Sequence, residues 1–433
     1  MTTSPEQCDL AIVGVGAAGM MTAIFAGRGA PPGTRIVALD GAKKLGAKIL
    51  VAGGGRCNVT HDVVYPRDYF GTPGKQVQRV LRTFSVGQTI AFFASLGVQL
   101  KREETGKLFP TTDRAQTVLD ALLGAMDEAG VDVRTDHRVM AVDSDPRFEG
   151  GGFVVQTNHG ALQAKRVVLA TGGKALPKTG SDGAGYAFAE ALGHTVTPTW
   201  PALVPLVLRK GHWLTELSGI AVDVTLTLSA ATGKLLHKQS GAMLATHFGV
   251  SGPAAMDISR HWIAAHGQDA NVQLTANLTG DLEFADVERI MQEESHRRPK
   301  ATVTSVPRCW LPERFAQAVI RHEARLDPGT PLGHLRRDDR RRLIHALIAL
   351  PLPVERDRGY LFAEVTAGGV PLEEVDLRTM ASKRRDGLHL CGEILNVDGR
   401  IGGYNFQWAW CTGRLAGQAV AQSWASTPSG GMG

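Results

Sequence analysis

The sequence predicts an α/β chain, a mostly parallel sheet interrupted by an insertion, and three observations carry that prediction. Asp9-Leu-Ala-Ile-Val13 is a short apolar run followed at once by Gly14-Val-Gly16-Ala-Ala-Gly19. A second run, Thr34-Arg-Ile-Val-Ala-Leu39, stops on Asp40. The same strand-then-glycine form returns at Val167–Gly173 and again at Leu388–Glu393, beyond a stretch of different character.

Each element follows from its local pattern. Asp9–Val13 is too short and too close to glycine for a helix, so it reads as a buried strand. A small-residue helix to about Gly29 and a strand over Thr34–Leu39 complete a βαβ unit. A glycine- and lysine-rich loop is expected over Gly41–Thr60, then helices near Lys75–Leu96 and Arg114–Ala129. Short alternating strands are expected over Val131–Lys165, with a turn at Glu149-Gly-Gly-Gly152, before Arg166–Ala170 resumes as a buried strand. From about Thr195 the style changes. Val222–Leu228 alternates like an antiparallel strand and turns at Thr232-Gly233, and helices are expected at Leu282–Glu294, Glu313–Arg321 and Arg336–Ala349. The expected division is therefore 1–194, an insertion at 195–355 whose helical part covers roughly 280–350, a return at 356–425, and a disordered tail at 426–433.

Glycine makes up 51 of 433 residues, about 12% against a usual ~7%, in clusters without a period, which points to tight loops around a ligand. With 43% hydrophobic and 21% charged residues, a disordered or fibrous chain is excluded. The net charge is +5, and the densest basic runs are His296–Lys300 and Arg336–Arg342, the second broken by Asp338 and Asp339. No aromatics interleave with them, so they read as solvated helix faces, and no nucleic-acid partner is expected. Cys8, Cys57, Cys309, Cys391 and Cys411 are odd in number and dispersed, which argues against a disulfide framework or a zinc site; no metal is expected. The uncharged run Leu10–Gly27 has no basic residue before it and four glycines inside it. It reads as neither signal peptide nor membrane span, and a cytoplasmic protein is expected.

Gly-x-Gly-x-x-Gly is informative here because it follows a strand, opens a helix and has an acid at the next strand end. This is a Rossmann-like dinucleotide fingerprint. Gly14 permits the tight turn, Gly16 lets backbone approach a pyrophosphate, and Gly19 lets helix and strand pack closely. The helix N-terminus offers N–H groups to phosphate, and Asp40 would accept from an adenosine ribose. Further on, Gly53-Gly-Gly55 permits an N–H nest, and Arg56 adds a planar donor fork. Cys57 beside a cation has two readings, nucleophile or packed thiol; with no close histidine partner except His61, the packed thiol is favoured. Asn396–Asn405 leads into a helix through Gly417, a second glycine-rich helix start.

These segments together resemble the aminoacetone-oxidase-like FAD-binding flavoproteins, a bacterial group that also contains bile-acid-reductase-like members. The resemblance covers nearly the whole chain. It rests on Gly14–Gly19, Gly53–Asn58, Leu108–Pro110, Ala170–Gly173, Gly193-His194, Thr246–Pro253, Thr366–Val370 and Gly392–Trp408 in order. It implies a discontinuous Rossmann-like FAD-binding domain with an inserted β-rich domain and a small helical domain. Carried over residue by residue, Gly14, Gly16, Ala18 and Gly19 would meet the pyrophosphate, and Asp40, where glutamate is commoner, the ribose. Lys48, Gly54, Arg56, Cys57 and Asn58 would lie on the flavin side, Val139 at adenine, and Ala170, Thr171 and Gly172 near the dinucleotide. Gly392, Glu393, Asp398, Gly402, Gly403, Tyr404 and Asn405 would approach the ribityl chain and ring, with Gly402 and Gly403 letting backbone pass close to it. Leu176 and Ala184 depart from the tyrosine and aspartate frequent there, which bears on the substrate and not on FAD.

The activity this implies is hydride transfer between a small organic substrate and flavin N5, amine-oxidase-like or enone-reductase-like, with FAD bound non-covalently. No second Gly-x-Gly-x-x-Gly follows a strand in 195–355, so direct reduction by NADH or NADPH is expected to be slow. His247 is a candidate base because histidine titrates near neutral pH, beside the reading that it is hydrogen-bonded for structure. Glu393 would tune the flavin or hold ribityl hydroxyls. Two rivals remain: an NAD(P)-linked dehydrogenase, and a non-catalytic, FAD-stabilised protein whose basic helices engage nucleic acid or a protein.

Overall fold

In the computed structural model, which describes residues 6–145 and 152–425, the first sheet consists of seven strands. They are β1 (Glu6–Val13), β2 (Ile36–Leu39), β3 (Asp132–Arg134), β4 (Val139–Ser144), β5 (Phe153–Thr157), β6 (Gly160–Leu169) and β7 (Leu388–Leu390). The order is β3-β2-β1-β6-β5-β4, with β7 also beside β6. Leu10 to Val13 and Ile36 to Leu39 are buried throughout, as strands covered on both faces must be. The register fixes the site. Val13 pairs with both Leu39 and Leu169, and Leu169 pairs with Leu390, all in parallel. Their successors Gly14, Asp40, Ala170 and Cys391 therefore share the carboxyl edge of the sheet, where open α/β sheets bind ligands.

β6 corrects one expectation. Arg166–Ala170 is not a separate strand but the second half of a ten-residue one. Gly160–Ala164 pairs antiparallel with β5, and Val167–Leu169 pairs parallel with β7. Polar Gln163, Lys165 and Arg166 hide this continuity from a reading by apolar runs.

The helices of this unit are α1 (Ala17–Arg28), α2 (Ala47–Gly55), α3 (Gly74–Leu81), α4 (Val86–Ser95), α5 (Ala115–Glu128), α6 (Ala184–Ala191) and α7 (Tyr404–Ala425). α1 and α7 pack through glycines. A Cβ at Gly413 would lie 2.3 Å from the Ala18 carbonyl oxygen, and one at Gly417 would lie 2.5 Å from that of Thr22. The loop expected over 41–60 contains α2, and the helix expected over 75–96 is two helices. The break is a capping box: Ser85 Oγ accepts the Gln88 N–H at 3.3 Å, while Gln88 Oε1 accepts the Ser85 N–H at 2.8 Å.

The chain divides into two compact units, Met1–Trp200 with Val365–Gly433, and Pro201–Glu364. In the second, an antiparallel sheet runs in the order 350–351, 273–277, 221–229, 235–246, 249–251, 206–208, 354–357. Helices Pro253–His266, Phe284–Arg297, Glu313–His322 and Arg337–Ile348 accompany it. Its core includes Met243, Ile258, Phe315 and Leu343. Pro253–His266 was not anticipated, although proline at the first helical position is a start signal. The run Leu10–Gly27 is shared among β1, the glycine turn and α1, and no helix among the described residues is long and apolar enough to cross a membrane. The tail at 426–433 and residues 149–151 of the expected glycine turn lie outside the described residues.

Candidate functional site

The three glycines of the fingerprint differ in what a side chain would strike. Gly14 has φ +95°, and a Cβ there would lie 2.6 Å from the Ala170 carbonyl oxygen, so it joins the ends of β1 and β6. A Cβ at Gly19 would lie 1.9 Å from the Gly14 oxygen, so helix and turn touch. At Gly16, the N-cap of α1, a Cβ would meet nothing within 4 Å. The protein itself does not require glycine at that position. Open space at a helix N-terminus with unbonded first-turn N–H groups is an anion cradle.

Asp40 reaches this turn. Its Oδ2 accepts the Val15 N–H at 2.9 Å and its Oδ1 accepts the Ala42 N–H at 2.8 Å. The His137 N–H donates to the Asp40 carbonyl at 2.8 Å, which brings buried Val139 alongside. A Cβ at Gly392 would lie 2.8 Å from that of Ala18, so the segment following β7 also arrives at the start of α1.

Beyond α2's single regular turn the backbone is left-handed at Gly53, Gly54 and Gly55 (φ +58°, +70°, +85°) and again at Cys57 (φ +60°). A Cβ at Gly54 would meet nothing within 4 Å. Arg56 is already engaged: its guanidinium stacks 4.0 Å from the Phe109 ring centroid and lies 2.5 Å from Glu103 and 3.7 Å from Asp113. Cys57 is fully buried, and burial pushes its thiol up to about 12, so it is a packed thiol rather than a nucleophile. Asn58 Oδ1 and Thr171 Oγ1 are buried without a hydrogen-bond partner among the described residues. Buried polar atoms are rarely left that way, and two of them among these loops fit a polar cofactor. Thr171 follows β6, and Gly172 (φ +72°) completes the turn there.

The two ends of the chain meet at Lys48 and Glu393. Lys48 Nζ lies 2.6 Å from Glu393 Oε2, and Glu393 Oε1 accepts the Thr366 N–H at 2.8 Å. Thr366 had no assigned role; its Oγ1 accepts the Lys174 N–H at 2.7 Å and fixes the turn after β6. The signal was there, since Thr366–Val370 belongs to the ordered series. Asp398 is fully buried. Asn405 closes its own turn, its Oδ1 accepting the Gly399 N–H at 2.8 Å and its Nδ2 donating to the Gly399 carbonyl at 3.0 Å. Tyr404 stacks on His61 with centroids 5.1 Å apart. A Cβ at Gly402 would find only ordinary contacts, but one at Gly403 would lie 2.6 Å from the Thr60 backbone. Chain-to-chain contact therefore explains Gly403. His247 belongs to the second unit, exposed at the tip between the strands 235–246 and 249–251, edge-on to Phe248 at 5.0 Å. The two catalytic candidates thus fall in different units.

Comparison with known proteins sets this geometry in context. The family described as HI0933-like protein Rossmann domain matches residues 8–419. A 3-dehydro-bile acid delta(4,6)-reductase of Clostridium scindens is 34% identical over 416 residues, covering 95% of this chain and 99% of that protein. A ribosomal RNA dihydrouridine synthase of Escherichia coli is 33% identical over 407 residues, covering 94% and 96%. Among solved structures, a 3-ketosteroid delta1-dehydrogenase from Sterolibacterium denitrificans covers 96% of this chain and 100% of its own, with a TM-score of 0.51 at 13% identity, a likeness of fold.

Proposed function

The chain belongs to the HI0933-like Rossmann family of bacterial FAD-binding flavoproteins, and from that premise we propose that it reduces a carbon–carbon double bond conjugated to a carbonyl in a small-molecule substrate. It is an FAD-dependent oxidoreductase. One observation carries the finer reading. The bile-acid and dihydrouridine relatives act on chemically unrelated molecules, yet both names describe adding two hydrogens across a double bond in conjugation with a carbonyl. FAD bound in its two-electron-reduced form would supply the hydride and return to the oxidised state, and the substrate's other hydrogen would arrive as a proton.

The residues fit such a cofactor. The cradle at Gly16 would take the pyrophosphate, Asp40 the ribose, and Asn58 and Thr171 would find their missing partners. Ala18, Lys48, Gly54, Val139, Ala170, Gly392, Glu393 and Asp398 would complete a site drawn from both chain ends. Non-covalent attachment is the reading supported by Cys8, Cys57, Cys391 and Cys411, which are buried and pushed up to about 12 by that burial, and so are poor nucleophiles toward a flavin. Acid precipitation should leave a colourless pellet; a yellow one refutes this. A small molecule suits the surface better than a polyanion, because part of each basic run is already paired with acids. Arg297 and Arg298 both reach Glu294, Arg342 lies 2.7 Å from Asp339, and Arg340 lies 3.5 Å from Glu288.

The test is anaerobic mixing of photoreduced protein with 3-oxo-4,6-diene steroid acids and simple cyclic enones. The oxidised flavin spectrum should return as the acceptor gains two hydrogens. Reoxidation by oxygen alone, with amines bleaching the flavin, would instead establish an oxidase.

A further inference from the structure

The first unit has another concavity, a cleft of about 930 Å³ between α3 with the two residues after it and the segment 372–383. None of the residues assigned to the flavin lines it. Arg79 and Arg82 stand three apart on one face of α3's end, both exposed, and neither guanidinium has a carboxylate or ring partner among the described residues. The opposite wall differs. Glu373 Oε1 accepts from Gln76 Nε2 at 2.8 Å, and Asp376 lies 3.4 Å from the guanidinium of Arg378. Lys383 Nζ donates to the Glu373 carbonyl at 2.9 Å, which holds the ammonium in place without cancelling its charge. Asp376 is thus paired with a cation, whereas Arg79, Arg82 and Lys383 share the cleft with the one carboxylate, Glu373, whose charge the Gln76 amide does not cancel, which leaves an excess of positive charge. This wall is also fixed from behind. The buried carboxylate of Glu374 accepts from the Thr195 N–H and Oγ1 and from Arg384, each at 3.0 Å, and lies 2.9 Å from His194 Nδ1.

Planar guanidinium forks are the donors best matched to phosphate oxygens, and an ammonium supplies a third contact from a different direction. A cleft of this size has room for a ligand of nucleotide dimensions, and half-buried Leu377 offers apolar contact to its body. The geometry points to a second ligand site, for a phosphorylated small molecule of nucleotide size. A nucleic-acid strand fits less well, because Glu373 and Asp376 on one wall would oppose a phosphate backbone running past them. The assignment is independent of the flavin's substrate.

Calorimetry on the flavin-saturated full-length protein tests it, with ADP, inorganic pyrophosphate, citrate and a short single-stranded RNA as probes. ADP and pyrophosphate should each bind one per chain. Arg79→Ala with Arg82→Ala should weaken both by about tenfold or more, as expected for the loss of charge-assisted contacts, with flavin spectrum and Tm unchanged. Glu373→Gln should tighten both by removing a like charge. ADP binding more tightly than pyrophosphate identifies a nucleotide; the reverse order identifies the bare phosphate group, and either supports the site. No binding of ADP or pyrophosphate, unaltered affinity in the double variant, citrate equal to pyrophosphate, or RNA tighter than ADP would each overturn it.

Discussion

Gly16 and Gly19 stand three residues apart in one motif and would tolerate a side chain very differently. Valine at 16 has open space around it, whereas valine at 19 collides with the backbone of the turn. Gly16→Val should therefore purify folded, with a Tm near that of the flavin-free protein, but with its flavin absorbance largely lost. Gly19→Val should fail to fold, and Gly403→Val should too, since Thr60 backbone fills the space beside it. A Gly16→Val protein with full flavin content would remove the cradle from the cofactor. Thiol chemistry offers a second check. Cys309 is exposed and the other four cysteines are buried, so a disulfide reagent should label one thiol quickly in the native protein and all five in denaturant. Sequence reasoning chose Lys48 and Glu393 from opposite ends, and the fold brings them together. It could not foresee the partners of Arg56, because Glu103 and Asp113 approach it through Phe109 on a small separate sheet of strands 60–61, 100–102 and 107–110.

Among the elements, β7 has only three residues but carries a titration that the fold must suppress. His389 is buried there, and desolvation lowers its imidazole to about 4, against the partial support of the Thr379 carbonyl 3.0 Å from Nδ1. Between that value and the unfolded 6.5, the unfolded chain binds a proton that the folded one refuses. The contribution is therefore full above pH 6.5 and falls as pH drops towards 4, by up to about 3 kcal/mol. The urea midpoint should decline from pH 7 to 4.5, and His389→Asn, which keeps a donor without titrating, should flatten that decline. A variant curve parallel to the parent would place the titration elsewhere. The capping box that separates α3 from α4 makes a simpler prediction: Ser85→Ala should cost about 1 kcal/mol in chemical denaturation. That break is written in the sequence as Ser85-x-x-Gln88, the spacing of a capping box. The alternating Val222–Leu228 and the three later helices were legible because each buries one face within its own unit. The double use of β6 was not, because periodicity does not reveal which strand occupies an edge.

On the scale of the molecule, Pro201–Glu364 has a seven-stranded sheet and a core of its own. Expressed alone, it should show cooperative unfolding and mixed helix and strand by circular dichroism, and it should bind no FAD. A featureless spectrum would mean that this core is insufficient by itself. The sheet of the other unit carries a different consequence, one of time. Leu169 cannot meet Leu390 until almost the whole chain has been made. At about 5–20 residues per second, the half-built sheet waits on the ribosome for roughly ten seconds to most of a minute. During that interval the edge of Val167–Leu169 lies open, its strand neighbour not yet synthesised, while the intervening segment can already reach its own fold. Nascent chains arrested before Leu388 should therefore be colourless and bound by chaperones, and flavin should enter only as the last strand docks.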